Sequence, residues 1–180
     1  MVNPNKIFGR LGNSLFQYAF CYAEAKKNDT DFYYQDPKFF EDYTNEIKVL
    51  FGQDIYPIDQ VAIHVRRGDY VNNDFYVDLM ETEYYSKAMS EFHGESFLVF
   101  SDDIKWCKRQ DIFKDCEFSK GNDEVTDLNL MAGCKGIIMA NSSFSWWGAF
   151  LSKGKVIAPK EWYSDKDQTR TICLKQWKRI

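Results

Sequence analysis

Apolar positions along the chain follow two rhythms that alternate. Leu15, Phe16, Ala19, Phe20 and Ala23 recur at three- and four-residue intervals, which predicts a helix with one buried face. Between Val61 and Val65 the rhythm becomes a short apolar run interrupted only by His64, the pattern of a buried strand. Phe97–Phe100, Gly136–Ala140 and Lys155–Ala158 repeat it, and Cys116–Phe118 is a shorter candidate. Helical spacing returns between these runs: near 81–92, from Trp106 to about Ile112, from Glu124 to Cys134, and from Phe144 to Leu151. In the third of these helices Leu128, Met131 and Ala132 share a face. A very short strand candidate, Lys6–Phe8, leads into Gly-Arg-Leu-Gly-Asn-Ser at 9–14. From Asn28 to Gln60 a mixture of Tyr, Phe, Asp and Pro keeps no period and predicts loops, short helices and a hinge near Pro57. Strands that alternate with helices require crossovers, so the pattern predicts an α/β fold with a parallel, Rossmann-like sheet over about 58–180.

A chain of 180 residues suits one domain or two small ones. Its apolar fraction, 44%, is enough to bury a core. The net charge of −4 gives no support to a nucleic-acid partner, so any anion site must be local. Five cysteines (Cys21, Cys107, Cys116, Cys134, Cys173) are an odd number without C-x-x-C spacing, which argues against a disulfide framework or a structural zinc site. Two histidines, His64 and His93, are too few for a His-rich metal centre, and no metal site is expected. No stretch is long and apolar enough to span a bilayer, and the first residues lack the layout of a signal peptide. The expected compartment is the cytosol, with no encoded membrane anchor; peripheral membrane association stays open.

The candidate chemistry gathers at the predicted strand ends. Val61–Val65 runs into Arg66-Arg67-Gly68-Asp69-Tyr70. In open α/β sheets ligands sit outside the carboxyl ends of the strands. Paired arginines there suggest a phosphate, whose oxygens match the guanidinium fork. An Arg–Asp surface pair or a cluster of buried ion pairs would account for the same residues. The second strand ends in Ser101-Asp102-Asp103, where adjacent carboxylates either hold magnesium or, more commonly, cap the following helix. A third ends in Asn141-Ser142-Ser143 and opens a helix, whose N-terminus both needs a cap and attracts phosphate. Asp127 sits early in a helix, where an acid suits the dipole. The Gly9–Asn13 turn is neither a dinucleotide fingerprint nor a P-loop, although its glycines permit close backbone approach. Trp146 and Trp147 are expected to pack the core.

Five segments together resemble the GDP-fucose-dependent α-1,2-fucosyltransferases of glycosyltransferase family 11. They are Gly-Arg-Leu-Gly-Asn-Ser-Leu-Phe-Gln-Tyr-Ala at 9–19, His-Val-Arg-Arg-Gly-Asp-Tyr at 64–70, Phe-Ser-Asp-Asp at 100–103, Asn-Ser-Ser-Phe-Ser-Trp-Trp-Gly-Ala at 141–149, and Val-Ile-Ala-Pro at 156–159. The resemblance implies a GT-B architecture: two Rossmann-like domains facing a cleft, the donor held mainly by the C-terminal one. It implies inverting, metal-independent transfer of fucose from GDP-fucose to a sugar or glycan hydroxyl, with no cofactor. Arg66 would hold the diphosphate and stabilise the leaving GDP, and Arg67 would assist or hold the loop. His64 and Asp127 would lie near the guanine. Ser142, Ser143 and Phe144 would contact the phosphates and nucleotide, and Asp103 would be the Ser-Asp-Asp residue near the nucleotide. Gly12 and Asn13 would close over the donor. Asp69 is the candidate catalytic base, unless it only orients an arginine.

One departure stands out. Only residues 21–60 separate the glycine turn from the arginine motif, where the family carries a much longer stretch. The expected organisation is therefore a reduced, acceptor-side domain at 1–57 and a donor-binding domain at 58–180. The alternative is a catalytically inactive GDP-sugar-binding module, and a homodimer that completes the cleft is a third possibility.

Overall fold

The computed structural model describes residues 10–27, 41–164 and 172–180. The expected strand at Lys6–Phe8 lies outside them. The described residues form helices α1 (Leu11–Lys27), α2 (Thr44–Phe51), α3 (Tyr84–Ser90), α4 (Ile104–Cys107), α5 (Glu124–Gly133) and α6 (Ser143–Leu151). The strands are β1 (Ile58–Val65), β2 (Phe97–Ser101), β3 (Glu117–Phe118), β4 (Cys134–Ile138), β5 (Lys155–Ala158) and β6 (Lys178–Arg179). All pair in parallel in one six-stranded sheet of order β3-β2-β1-β4-β5-β6. This is the Rossmann-like α/β sheet that the alternating pattern predicts.

Period-two alternation divides β1 between two cores. Ala62 joins Phe16, Ile47, Met131, Trp146 and Trp147 beneath α1, α2, α5 and α6. Val61, Ile63 and Val65 join Tyr84, Tyr85, Cys107 and Phe113 beneath α3 and α4. A strand covered on both faces has no reason to alternate apolar with polar, which explains its continuous apolar sequence. His64 is the exception and belongs to the site.

Two elements differ from the sequence expectation. The helix expected from Trp106 to Ile112 is split: α4 ends at Cys107, Gln110 turns extended, and a single 3-10 turn covers Asp111–Phe113. The break carries Phe113 inward to an edge contact with the Tyr85 ring at 5.8 Å. Burying that phenyl group outweighs extending a short polar helix. The stretch before β1, where short helices are expected, contains α2, whose Ile47 is fully buried. β6 is a two-residue strand that no period could signal. The described cysteines 107, 116, 134 and 173 are free, and burial pushes the Cys134 thiol up to about 12.

The two tryptophans of α6 are the centre of the larger core. Trp146 stacks on Phe150 at 5.0 Å, touches Phe16 at 4.5 Å, and donates its indole N–H to Ile172 O at 2.7 Å. The hydrogen bond satisfies the one polar atom of an otherwise apolar side chain. Trp146→Ala is expected to cost about 3–5 kcal/mol, because it removes the ring that α1 and α6 share. Urea unfolding of the variant beside the native chain measures it.

Candidate functional site

The sheet order reverses between β1 and β4, because the chain leaves β1 towards β2 and β3 and resumes at β4 on its other side. Ligands bind in the crevice at such a switch point. A cavity of about 520 Å³ opens at this place, along the carboxyl ends of the strands.

Arg66 follows the last residue of β1 and reaches the cavity with its side chain only 11% exposed. A cation so nearly buried needs partners. Asp102, just beyond β2, accepts from Nη1 at 2.8 Å, and Asp69 Oδ1 accepts from Nη2. The guanidinium also lies 5.3 Å from the Tyr70 ring centre. Asp102 takes two further donors, Arg67 N–H at 2.9 Å and Arg10 Nη1 at 3.5 Å. Gly68 makes this convergence possible. Its φ is +24°, and a Cβ there would sit 2.4 Å from Asp102 Oδ2. The glycine of Arg-Arg-Gly-Asp is thus the room that the Asp102 carboxylate occupies.

Arg67 turns away from the cavity. Its guanidinium stacks at 3.7 Å on Trp106 of α4, and it holds the loop rather than lining the cleft. The adjacent acids also part. Asp103 caps α4, accepting from Trp106 N–H at 3.0 Å, and is absent from the cavity wall, whereas Asp102 lines it. Their carboxylates therefore do not converge on one point. Among the described residues no three His, Cys, Asp or Glu side chains gather in metal-binding geometry.

Opposite Arg66, two helix N-termini meet. Ser142 caps α6, its hydroxyl accepting from Phe144 N–H at 3.3 Å. Gly12, in the first turn of α1, packs so closely that a Cβ would lie 2.6 Å from Phe144 N and 2.8 Å from Ser143 Oγ. Ser143 Oγ donates to Asn13 Oδ1 at 2.7 Å and joins the two ends. Helix N-termini carry partial positive charge, so their junction has the electrostatic character that favours an anion. Gly12, Asn13, Ser142, Ser143 and Phe144 all line the cavity.

His64 lies on the same face, 5.4 Å ring to ring from Phe144. Burial and the charge of Arg66 push its pKa down to about 3, so the imidazole is neutral near pH 7. Its Nδ1 is buried without a partner. Asp127 lines the cavity where β3 ends. Its Oδ1 accepts from Ser119 Oγ at 2.6 Å and Asn122 Nδ2 at 3.0 Å, which fixes the carboxylate. Asp69, 64% exposed on its side chain, stands at the mouth.

Sequence reasoning placed Asp102 and Asn141 at strand ends without their observed roles, and missed the Ser119–Asn122 support of Asp127. Asn141 is 2% exposed and clamps two loops, its amide donating to Val77 O at 2.9 Å and Trp162 O at 3.0 Å. A signal for Asp102 was present: an N-cap stands one residue before its helix, so Asp103 is spent on capping and Asp102 is left for the cleft.

A profile described as Glycosyl transferase family 11 matches residues 5–180. An alpha-1,2-colitosyltransferase of Escherichia coli is 32% identical over 195 aligned positions, covering 91% of this chain and 67% of that protein. The O-antigen biosynthesis glycosyltransferase WbnK of Escherichia coli is 32% identical over 130 positions, covering 64% of this chain and 43% of its own length. Galactoside 2-alpha-L-fucosyltransferase SEC1 of Bos taurus is 27% identical over 129 positions, 65% of this chain and 35% of that protein. The chain thus spans about two thirds of the first and less than half of the other two. No solved structure matches significantly. Among the described residues no helix is long and apolar enough to cross a membrane.

The site generates two expected outcomes. Above the ordinary histidine pKa of 6.5, His64 is neutral in folded and unfolded chains alike. Below it the unfolded chain takes up a proton that the folded chain refuses until about pH 3. Stability is therefore whole above that ordinary value and is lost progressively as the pH falls, by roughly 3 kcal/mol at pH 4. Urea unfolding at pH 7 and pH 4 should show a smaller acid loss for His64→Gln than for the native chain. Gly68→Ala should push Asp102 off Arg66 and destabilise by about 1–3 kcal/mol. Thermal unfolding checks this, with Gly94→Ala as the control for positive φ alone, since nothing lies within 4 Å of that glycine.

Proposed function

The chain belongs to glycosyltransferase family 11, and from that premise we propose that it transfers L-fucose from GDP-fucose to a hydroxyl of a sugar or glycan acceptor. The observation that carries this proposal is the convergence of Arg66, the joined N-termini of α1 and α6, and the fixed carboxylate of Asp127 on one cavity of about 520 Å³. A nucleoside diphosphate needs what these groups offer. A base such as guanine presents a ring N–H and an amino group to a carboxylate, and the diphosphate presents oxygens to N–H groups and a guanidinium.

The chemistry follows from charge. The acceptor oxygen attacks the anomeric carbon from the face opposite the leaving group, and the bond between that carbon and the β-phosphate oxygen breaks. The pair of electrons leaves with GDP, so negative charge grows on the β-phosphate. Arg66 and the two helix ends are in place before that charge appears, and groups of this kind contribute most in the transition state. They place positive charge beside the leaving group, which supports transfer without a metal, and a single attack from the opposite face would invert the anomeric centre. The acceptor hydroxyl must lose its proton late in the step. Asp69 is the group assigned to receive it: Oδ1 orients Arg66, and among the described residues no hydrogen bond reaches Oδ2. Arg67 acts through the loop that it holds against Trp106. Residues 1–57 are assigned to the acceptor side and 58–180 to the donor side.

Calorimetric titration with GDP, GDP-fucose and UDP tests the donor assignment. The native chain should bind the guanine nucleotides and not UDP. Arg66→Ala should weaken GDP by roughly ten- to a hundredfold, as expected for a charge-assisted contact. Equal binding of UDP, or an unchanged affinity in Arg66→Ala, would count against the proposal.

A further inference from the structure

One surface of the cavity has no part in nucleotide binding as described above. Tyr70 and Tyr76 stack face to face, with centroids 3.9 Å apart and planes 7° from parallel. Tyr76 pairs through its backbone with Tyr163 in an antiparallel bridge, and their rings are 5.8 Å apart. Phe75 closes the group from outside, 5.0 Å from both Tyr76 and Tyr163, and its backbone carbonyl accepts from Ser164 N–H at 3.1 Å. Tyr70 is anchored by its hydroxyl, which donates to Asn141 O at 3.0 Å. Tyr70, Tyr76, Trp162 and Tyr163 all line the cavity that holds Arg66. These aromatics come from two segments, one after β1 and one after β5, locked in one arrangement.

The sheet order shows what this surface faces. Asp127 is tied through Ser119 to the end of β3. Arg66 follows β1, Ser142 and Ser143 follow β4, and Trp162 and Tyr163 follow β5. From β3 to β5 there are four inter-strand steps of about 4.8 Å, roughly 19 Å in all. A nucleotide sugar laid along this edge has one consistent direction. Its base lies at the β3 end and its diphosphate at the switch point, so its sugar lies at the β5 end, on the aromatic surface.

Resting on the proposed function, we infer that Tyr70, Tyr76, Tyr163 and Trp162 form the subsite for the transferred sugar, selecting a 6-deoxyhexose by its apolar face and methyl group. Aromatic walls with a few fixed polar groups are how pockets hold partly apolar ligands. The phenol faces serve a second purpose. The anomeric carbon becomes cation-like as the bond to GDP breaks, and an aromatic face attracts a cation.

The test compares GDP with GDP-fucose by calorimetry in the native chain, Tyr76→Ala and Tyr76→Phe. Tyr76→Ala should weaken GDP-fucose about tenfold and leave GDP within about twofold, a difference of ~1.4 kcal/mol for the lost stacking surface. Tyr76→Phe keeps the ring and should retain both affinities. Circular dichroism reports whether Tyr76→Ala folds, and Tyr163→Ala carries the same comparison if it does not. Equal weakening of both ligands would make the surface structural and overturn the inference, as would an unchanged ratio. A loss confined to turnover with acceptor, at unchanged GDP-fucose affinity, would assign the surface to the acceptor and overturn it too. If the native chain binds neither nucleotide, the donor assignment itself fails, a result distinct from the loss of the sugar subsite alone.

Discussion

The site depends on how one buried cation is kept in place. β1 ends in a guanidinium that water scarcely reaches, and a charge removed from water is costly unless it is paired. Asp102 from the neighbouring strand end and Asp69 from the following turn provide that pairing. Gly68 must be small for Asp102 to arrive, and Arg67 must turn outward so that its backbone N–H can bind the same carboxylate. The motif Arg-Arg-Gly-Asp is therefore one unit. The first arginine faces the cleft, the second anchors the loop on Trp106, the glycine makes space, and the aspartate aims the fork.

The pairing leaves Arg66 able to act. Two carboxylates hold the guanidinium from two directions, so it is oriented before any ligand arrives. In the proposed function an incoming diphosphate would meet a cation whose side-chain entropy is already lost. Across the cavity the α1–α6 junction supplies positive potential from backbone dipoles, which need no counter-charge. The absent Cβ of Gly12 holds those two helix ends in contact. Positive groups from two distant parts of the chain thus face the same volume, each held by small residues and hydrogen bonds.

Much of this was legible in the sequence. The strands buried on both faces announced themselves by composition, and their parallel order placed the polar strand ends on one edge. Arg66, Asp69, His64, Ser142, Ser143 and Phe144 line the predicted place for that reason, whereas Asp127, inside α5, was pointed to only by the family resemblance. What stayed hidden was side-chain direction at single residues. Arg67 and Asp103 carry the same chemistry as their neighbours, yet one stacks on a helix and the other caps it. For the two arginines no local signal tells which faces the cavity, whereas for the two aspartates the N-cap position does. Short helices were expected before β1, but the bounds of α2 could not be read because its eight residues are too few to establish a period.

The strand order also gives the site a direction, which composition alone could not. The strand ends contribute different chemistries: a carboxylate fixed by hydroxyl and amide near β3, a paired cation after β1, helix dipoles after β4, and beside β5 a group of aromatic rings from the joined segments after β1 and β5. Because parallel strands are laid side by side at a fixed spacing, that chemical sequence becomes a spatial one. An asymmetric ligand bound along it has one orientation in which all four chemistries are satisfied. Reversing it would bring a base to the tyrosines, where stacking is still available. It would also bring a sugar to Asp127, whose Oδ1 is already filled by Ser119 and Asn122. The remaining oxygen suits a donor-rich base edge better than the deoxygenated side of a 6-deoxy sugar. In the proposed binding mode Asp127, more than the aromatic rings, would therefore set the polarity of the site.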